Sequence, residues 1–158
     1  MSIDSDTFRA VLGRFASGVT ILTARDSDGH DHGMTVSAFC SVSLEPPLVL
    51  ACVDRTATMH DMMLRLEHVG FSLLASGQEA LSRRFAELES GRFDGLGYSR
   101  GERGVVLFDD ALAHLECRVR ARHPAGDHTI VVCEVERANT RQDRPLLYYR
   151  GGYAQLER

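Results

Sequence analysis

Four short stretches hold the side chains best suited to chemistry. Gly33-Met-Thr-Val-Ser-Ala-Phe39, continued by Cys40-Ser-Val-Ser43, reads as a strand running into a corner of small and hydroxylated residues. Thr35, Ser37, Ala38 and Ser41 supply hydroxyls and accessible N–H groups without filling space, as a flat ligand edged with carbonyls and ring nitrogens requires. A simple crossing of small-residue strands gives the same pattern. Asp54-Arg-Thr-Ala-Thr58 lies where an apolar strand ends and a helix is predicted. Helix N-terminal N–H groups with Arg55, Thr56 and Thr58 suit a phosphate, and capping by Thr56 accounts for the same residues. Gly126-Asp-His128 places an imidazole in a turn before a long strand, as a ligand donor or an ordinary surface histidine. Tyr148-Tyr-Arg-Gly151 combines two aromatic rings, a guanidinium and a flexible backbone, fit for stacking or gripping phosphate.

Other chemistries lack their residues. All 18 basic residues are Arg, which removes any lysine Schiff base, lysine nucleophile or Walker A lysine. Gly95-Leu-Gly97 begins like a dinucleotide fingerprint but has no third glycine and no strand–helix context. There is no GxSxG elbow, and Asp109-Asp110 reads as a turn. Asp26-Ser-Asp-Gly-His-Asp31 opens like a calcium loop without its closing Glu, so a hairpin turn flanked by His30 and His32 is expected, with no metal. Cys40, Cys52, Cys117 and Cys133 form no CxxC pair and are expected as buried free thiols in a reducing cytoplasm.

The elements that must position these residues follow from periodicity. Phe8, Val11, Leu12 and Phe15 predict a helix over 4–15. Strands are expected over 19–23, 48–53 (fully buried), 69–75, 112–122, 129–136, 146–149 and 153–156. Helices are expected over 56–66, with Met59, Met62, Met63 and Leu66 on one face, and over 77–86. Residues 89–104, about sixteen in length, read as a mobile lid or binding loop. Many strands and few helices without β-α alternation favour an antiparallel barrel of mainly β class. The chain has 158 residues, 44% hydrophobic and 25% charged, which suits one domain over 1–158. A net charge of −4 without a basic block argues against nucleic acid. No apolar run approaches the roughly 20 residues of a membrane span, and the acidic start lacks a signal-peptide layout.

Together these motifs resemble the short-chain flavin reductase family, the reductase components of two-component flavin-dependent monooxygenases. The resemblance is carried by Phe8-Arg-x-x-x-Gly13-x-Phe15-Ala-x-Gly18-Val-Thr-x-Leu-Thr23, by Gly33 to Phe39 with Ser41-Val-Ser43 and Pro46-Pro47-Leu48, and by Asp54 to Thr58. Further along it is carried by Gln78 to Ala86, Ala111 to Cys117, Gly126 to His128 and Pro145 to Tyr153. It implies an FMN-binding split β-barrel, usually a homodimer, that transfers hydride from NADH or NADPH to FMN or FAD. Reduced flavin then passes to a separate monooxygenase. Thr35, Val36, Ser37 and Ala38 would face the isoalloxazine, with Ser41 and Val42 beside it. Cys52, Val53, Asp54, Arg55, Thr56 and Thr58 would hold the ribityl chain and phosphate, and Phe85 would close the pocket. His128, Tyr148, Tyr149, Arg150 and Gly151 would meet the nicotinamide nucleotide. Hydride transfer by positioning needs no catalytic acid or base. Relatives often carry Gly-x-Pro where this chain has Gly104-Val-Val-Leu107, so residues 92–103 transfer poorly. The alternatives are a split-barrel flavoprotein that keeps its flavin and reduces ferric iron or a quinone, and a non-catalytic flavin carrier.

Overall fold

Helix α1 (Ser5–Leu12) begins the computed structural model, which describes residues 2–157. Asp4 caps it by accepting the Thr7 N–H at 2.8 Å. The helix stops short of the expected Phe15 where its hydrogen bonds tighten: the Arg14 and Phe15 N–H groups go to the Val11 and Leu12 carbonyls, three residues back, at 3.0 and 3.1 Å, and the Gly13 carbonyl accepts the Arg150 N–H at 2.9 Å from a distant hairpin.

Strands β1 (Ser17–Gly18), β2 (Thr20–Arg25), β3 (Asp31–Val36), β4 (Phe39–Ser43), β5 (Leu48–Asp54) and β6 (His68–Leu73) follow. After them come β7 (Tyr98–Arg100), β8 (Val106–Phe108), β9 (Ala113–Ala125), β10 (His128–Thr140), β11 (Leu146–Tyr149) and β12 (Gly152–Gln155). Seven of them form one antiparallel sheet in the order β3-β2-β6-β9-β10-β5-β4. Leu22 of β2, Val36 of β3, Val53 of β5, Phe71 of β6, Cys117 of β9 and Val131 of β10 share one buried cluster. Strands from both ends of the sheet thus contribute to a single interior, which requires the sheet to curl round it. The long ladder β9–β10 bends at register shifts after Val132 and Val135. The fold is mainly β, as the sequence predicts.

Three local expectations are corrected. Strand β5 is not buried on both faces: Val49, Ala51 and Val53 point inward, while Leu48, Leu50 and Cys52 are half-buried. This is the alternation of a strand with one face on the core. The helix expected over 56–66 shrinks to α2 (His60–Met63), and Thr56 does not cap it. Asp54 organises a tight turn first, accepting from the Thr56 N–H and hydroxyl, both at 2.8 Å. Met59, Met62 and Met63 still fill the core. Of the four thiols, all free, Cys117 and Cys133 are buried, Cys52 is half-buried and Cys40 is exposed at the sheet edge. Burial pushes the Cys133 thiol up to about 12 and Cys117 further still, so both stay protonated. No helix among the described residues is long and apolar enough to cross a membrane.

Helix α3 (Glu79–Glu87) covers the outer face of β2 and β3. Its Phe85 packs with Val19, Ile21, Val106, Phe108 and Leu146 in a second cluster. The loop after it is pinned. Arg84 donates to the carbonyls of Gly91, Arg92 and Asp94 at 2.9, 2.7 and 2.6 Å, and Arg92 donates to Gly33 at 2.6 Å and to Leu88. A loop so satisfied is a wall of the fold, contrary to the mobile lid expected. The β2–β3 turn is the expected hairpin, closed by Asp26 Oδ1, which accepts from the N–H groups of Asp28 and His30 at 2.9 Å each.

Gly33 seats α3 on β3. A Cβ there would lie 2.7 Å from the Phe85 ring and 3.1 Å from that of Phe93. Phe85 cannot yield, because its ring is 1% exposed and held edge-on by Phe93 and Phe108 at centroid distances of 5.0 and 5.1 Å. Gly33→Ala is expected to destabilise the fold by about 1–3 kcal/mol, the usual cost of overpacking a tight core. Urea unfolding checks this; an unchanged midpoint overturns it.

Candidate functional site

A cleft of about 420 Å3 opens between β3, the turn after β5, and α3 with its following loop. Thr35, Thr56, Thr58 and Phe85, four residues expected at a flavin, line it together with Met59 and Arg92. A second cleft of about 240 Å3 shares Thr58, Met59 and Arg92 and adds Gly33. The combined trough lies in the size range of cofactor sites. Its wall mixes apolar methionine with hydroxyl and guanidinium donors and with the carboxylates of Glu87 and Glu89.

The hydrogen bonds decide which donors remain free. Thr35 already donates its hydroxyl to the Ser82 carbonyl at 2.6 Å. In the Asp54 turn the Arg55 N–H goes to the Asp127 carbonyl at 2.9 Å, and the Ala57 N–H goes to the Asp54 carbonyl at 3.0 Å. The Thr56 N–H and hydroxyl are held by Asp54 Oδ1, an interaction that lowers the Asp54 pKa and keeps that carboxylate ionised at neutral pH. The turn thus uses the N–H groups of Arg55, Thr56 and Ala57 itself, and those of Thr58 and Met59, just before α2, have no hydrogen-bond partner among the described residues. Free donors are the Thr58 hydroxyl, the Thr58 and Met59 N–H groups and two guanidinium groups. Arg55 is exposed and loosely tied, 3.5 Å from the Gly126 carbonyl, and Arg92 has its Nη2 to spare.

The other expected residues fall into separate places. Val36 and Val53 turn inward, 4% and 0% exposed, so their side chains belong to the core and only their main chain can face a ligand. Ser37 lies on a smaller cleft of about 110 Å3 with Gly18, Thr20 and Phe39. Ala38, Ser41 and Val42 are exposed along the β4 edge. Cys52 is half-buried behind them, its N–H on the Ala38 carbonyl at 2.9 Å and its thiol pKa raised by burial. His128 pairs across the ladder with Asp54, and its Nδ1 lies 2.7 Å from Asp127 Oδ1, so the histidine turn and the Asp54 turn are tied together.

Tyr148 to Gly151 forms the β11–β12 hairpin in a separate three-stranded sheet. Arg150 and Gly151 both take positive φ, 52° and 76°, as its two-residue turn needs. Among the described residues no hydrogen bond joins this hairpin to His128. It reaches the cleft another way. The Tyr148 ring meets Tyr153 at 5.5 Å, the Tyr153 hydroxyl lies 2.7 Å from Ser82 Oγ, and Ser82 accepts from Thr35. Arg83 stacks over Tyr153 at 4.9 Å. Ser82 and Tyr153 lie within the motifs Gln78 to Ala86 and Pro145 to Tyr153, but the sequence assigns neither them nor Arg92 a role in the site. Their roles depend on contacts across 47 to 71 residues of chain, for which local spacing gives no signal.

Comparison with known proteins agrees with this geometry. Residues 12–157 match the model of the flavin reductase like domain. An NADH-dependent flavin reductase from a Rhodococcus species is 44% identical over 155 residues, covering 94% of this chain and 85% of its own. The reductase subunit of a flavin-dependent monooxygenase from Rhodococcus jostii is 36% identical, covering 99% and 80%. Among solved structures, the NADH:FAD oxidoreductase of Streptomyces globisporus, in complex with NAD and FAD fragments, superposes with a TM-score of 0.92 at 37% identity, covering 99% and 96%. Domain match, identity and superposition extend over nearly the whole chain, and the protein therefore belongs to the flavin reductase like domain family.

Proposed function

We propose that this protein is an NADH-dependent flavin reductase whose reduced flavin serves a separate monooxygenase. The observation that carries this reading is the convergence of Thr35, Thr56, Thr58 and Phe85, from three distant parts of the chain, on one cleft. A flavin held in this cleft would supply the ring that takes hydride from a reduced nicotinamide. This chain's task is to hold the two rings in reacting geometry, so no side chain acts as acid or base. Met34, half-buried on the wall, gives the cleft apolar surface, and Phe85 and Met59 back that wall from the core. The Thr58 hydroxyl and the Arg55 and Arg92 guanidinium groups bind phosphate, with charge-assisted hydrogen bonds stronger than neutral ones. His128 and the Tyr148–Gly151 hairpin receive the nicotinamide nucleotide. FMN and FAD both fit this donor set, and NADH is the donor expected over NADPH by similarity to the named relatives.

A homodimer fits the surface of α1. Phe8, Val11, Leu12 and Phe15 are 54%, 59%, 51% and 81% exposed, and α1 buries none of its residues within the chain. A contiguous apolar face of this kind marks an interface, and a second copy of the chain is the occupant proposed. Phe15→Glu is expected to shift the protein from dimer to monomer in sedimentation velocity. A monomeric unsubstituted protein overturns the assignment.

The activity is tested by following loss of nicotinamide absorbance with NADH or NADPH, with and without added FMN, FAD or riboflavin. Oxidation that saturates with added flavin is expected, with His128→Ala raising the Michaelis constant for NADH and leaving flavin affinity unchanged. Absence of oxidation despite flavin binding overturns the reading.

The phosphate assignment is tested separately. Thr58→Ala and Arg55→Ala should each weaken FMN by about tenfold, the scale of one charge-assisted hydrogen bond, and leave riboflavin nearly unaffected. Equal losses for both ligands overturn the assignment.

A further inference from the structure

Ser82 stands between the two parts of the site and is bonded to both. Resting on the reading of Tyr148–Gly151 as the nucleotide's hairpin, we propose that Tyr153 is a positioning residue for hydride transfer: its hydroxyl contact with Ser82 sets that hairpin against the flavin cleft. Ser82 lies in α3 and is fully buried. Its carbonyl accepts the Thr35 hydroxyl at 2.6 Å, and Thr35 lines the flavin cleft. Its own hydroxyl lies 2.7 Å from that of Tyr153 in β12. One residue therefore holds the flavin wall through its main chain and the hairpin through its side chain.

The hairpin needs such a tie. Its first strand, β11, is held on both sides: Ser17 and Gly18 of β1 pair with Tyr148 and Leu147, and β12 pairs along the other edge. At its root the Leu146 N–H donates to the Leu74 carbonyl at 3.1 Å. β12 is the outer strand of this three-stranded sheet, with a ladder on one side alone. Among the described residues, two side-chain hydrogen bonds join β12 to the rest of the fold. Gln155 Nε2 donates to the Ser76 carbonyl at 3.3 Å, long and exposed, and Tyr153 meets Ser82. Because Ser82 is closed to solvent, water does not replace a lost partner there, and the Tyr153 bond is the stronger of the two. Arg83, itself paired with Glu79 at 2.9 Å, lies over the Tyr153 ring and fixes its plane.

Aromatic contact carries this constraint to the nucleotide. Tyr148 and Tyr153 face each other across the β11–β12 ladder, their ring centroids 5.5 Å apart at 69°. This edge-on packing supports the Tyr148 ring from below, while Tyr148 and Tyr149 are otherwise exposed. Two rings brought together for hydride transfer tolerate little misplacement. Fixing the flavin wall and the hairpin from one buried residue keeps them in register.

The test compares Tyr153→Phe, Ser82→Ala and the double substitution with the unsubstituted protein, in NADH oxidation with added FMN and in amide hydrogen exchange. Each substitution is expected to raise the Michaelis constant for NADH about fivefold, the scale of one neutral hydrogen bond. kcat and the FMN dissociation constant should be retained, the pattern of a loss in nucleotide binding alone. The double substitution should do no more than either one, because a single contact is removed. Exchange should quicken in residues 146–155 and stay unchanged in 129–136 of β10. An unchanged Michaelis constant or unchanged hairpin exchange in Tyr153→Phe, an equal loss of FMN affinity, or exchange quickened throughout the chain overturns the proposal and leaves the flavin reductase reading intact. An unsubstituted protein that binds FMN without oxidising NADH overturns both.

Discussion

The close approach of the Phe85 ring to the Gly33 backbone is the contact on which the rest of the site depends. It brings α3 against β3 at a distance that no Cβ permits. Everything on the far wall of the cleft follows from that seating. Thr35 reaches the Ser82 carbonyl, Arg92 reaches the Gly33 carbonyl, and Arg84 gathers the loop behind them. The apolar cluster around Phe85, Phe93 and Phe108 holds the ring rigidly, so the cleft has a fixed width. A site that works by stacking two flat rings needs that rigidity more than it needs reactive side chains.

The opposite wall is built by a different force. The Asp54 turn closes on itself, and the N–H groups of Arg55, Thr56 and Ala57 are bound before a ligand arrives. That leaves side-chain donors and the N–H groups of Thr58 and Met59 for the phosphate. A guanidinium held only at 3.5 Å can move to a ligand at small cost, whereas a main-chain N–H cannot be redirected. The same turn is tied through Asp127 to the His128 hairpin, so a change at the phosphate end is mechanically linked to the residue assigned to the nucleotide.

The apolar face of α1 and the separate β1-β11-β12 sheet belong to one arrangement. The Gly13 carbonyl accepts the Arg150 N–H, and Ser17 pairs with Tyr148, so the hairpin bearing Tyr148 and Tyr149 is anchored to the chain just after α1. In the proposed dimer, association at α1 would therefore act close to the hairpin as well.

Much of this was legible in the sequence, because its signals are local. Alternation in 112–122 and the apolar run of 129–136 marked two strands, Asp26 to Asp31 marked a hairpin, and the motifs around Thr35 and Thr58 marked residues that the fold brings to one cleft. Local signals also misled where a long-range partner won. Helical spacing through Phe15 yielded to a tightened last turn whose Gly13 carbonyl is taken by Arg150, and the helix expected from Thr56 yielded to the Asp54 turn. The length of 89–104 suggested mobility, but Arg84 and Arg92 satisfy its carbonyls. By itself the sequence determined the strands, the turns and the small-residue corner, since backbone preference and side-chain period act between near neighbours. Only the tertiary structure decided which donors stay free, which valines turn inward and which arginines form the wall. Those outcomes depend on partners dozens of residues away, and a hydrogen bond or a core position is assigned only when both partners are in place.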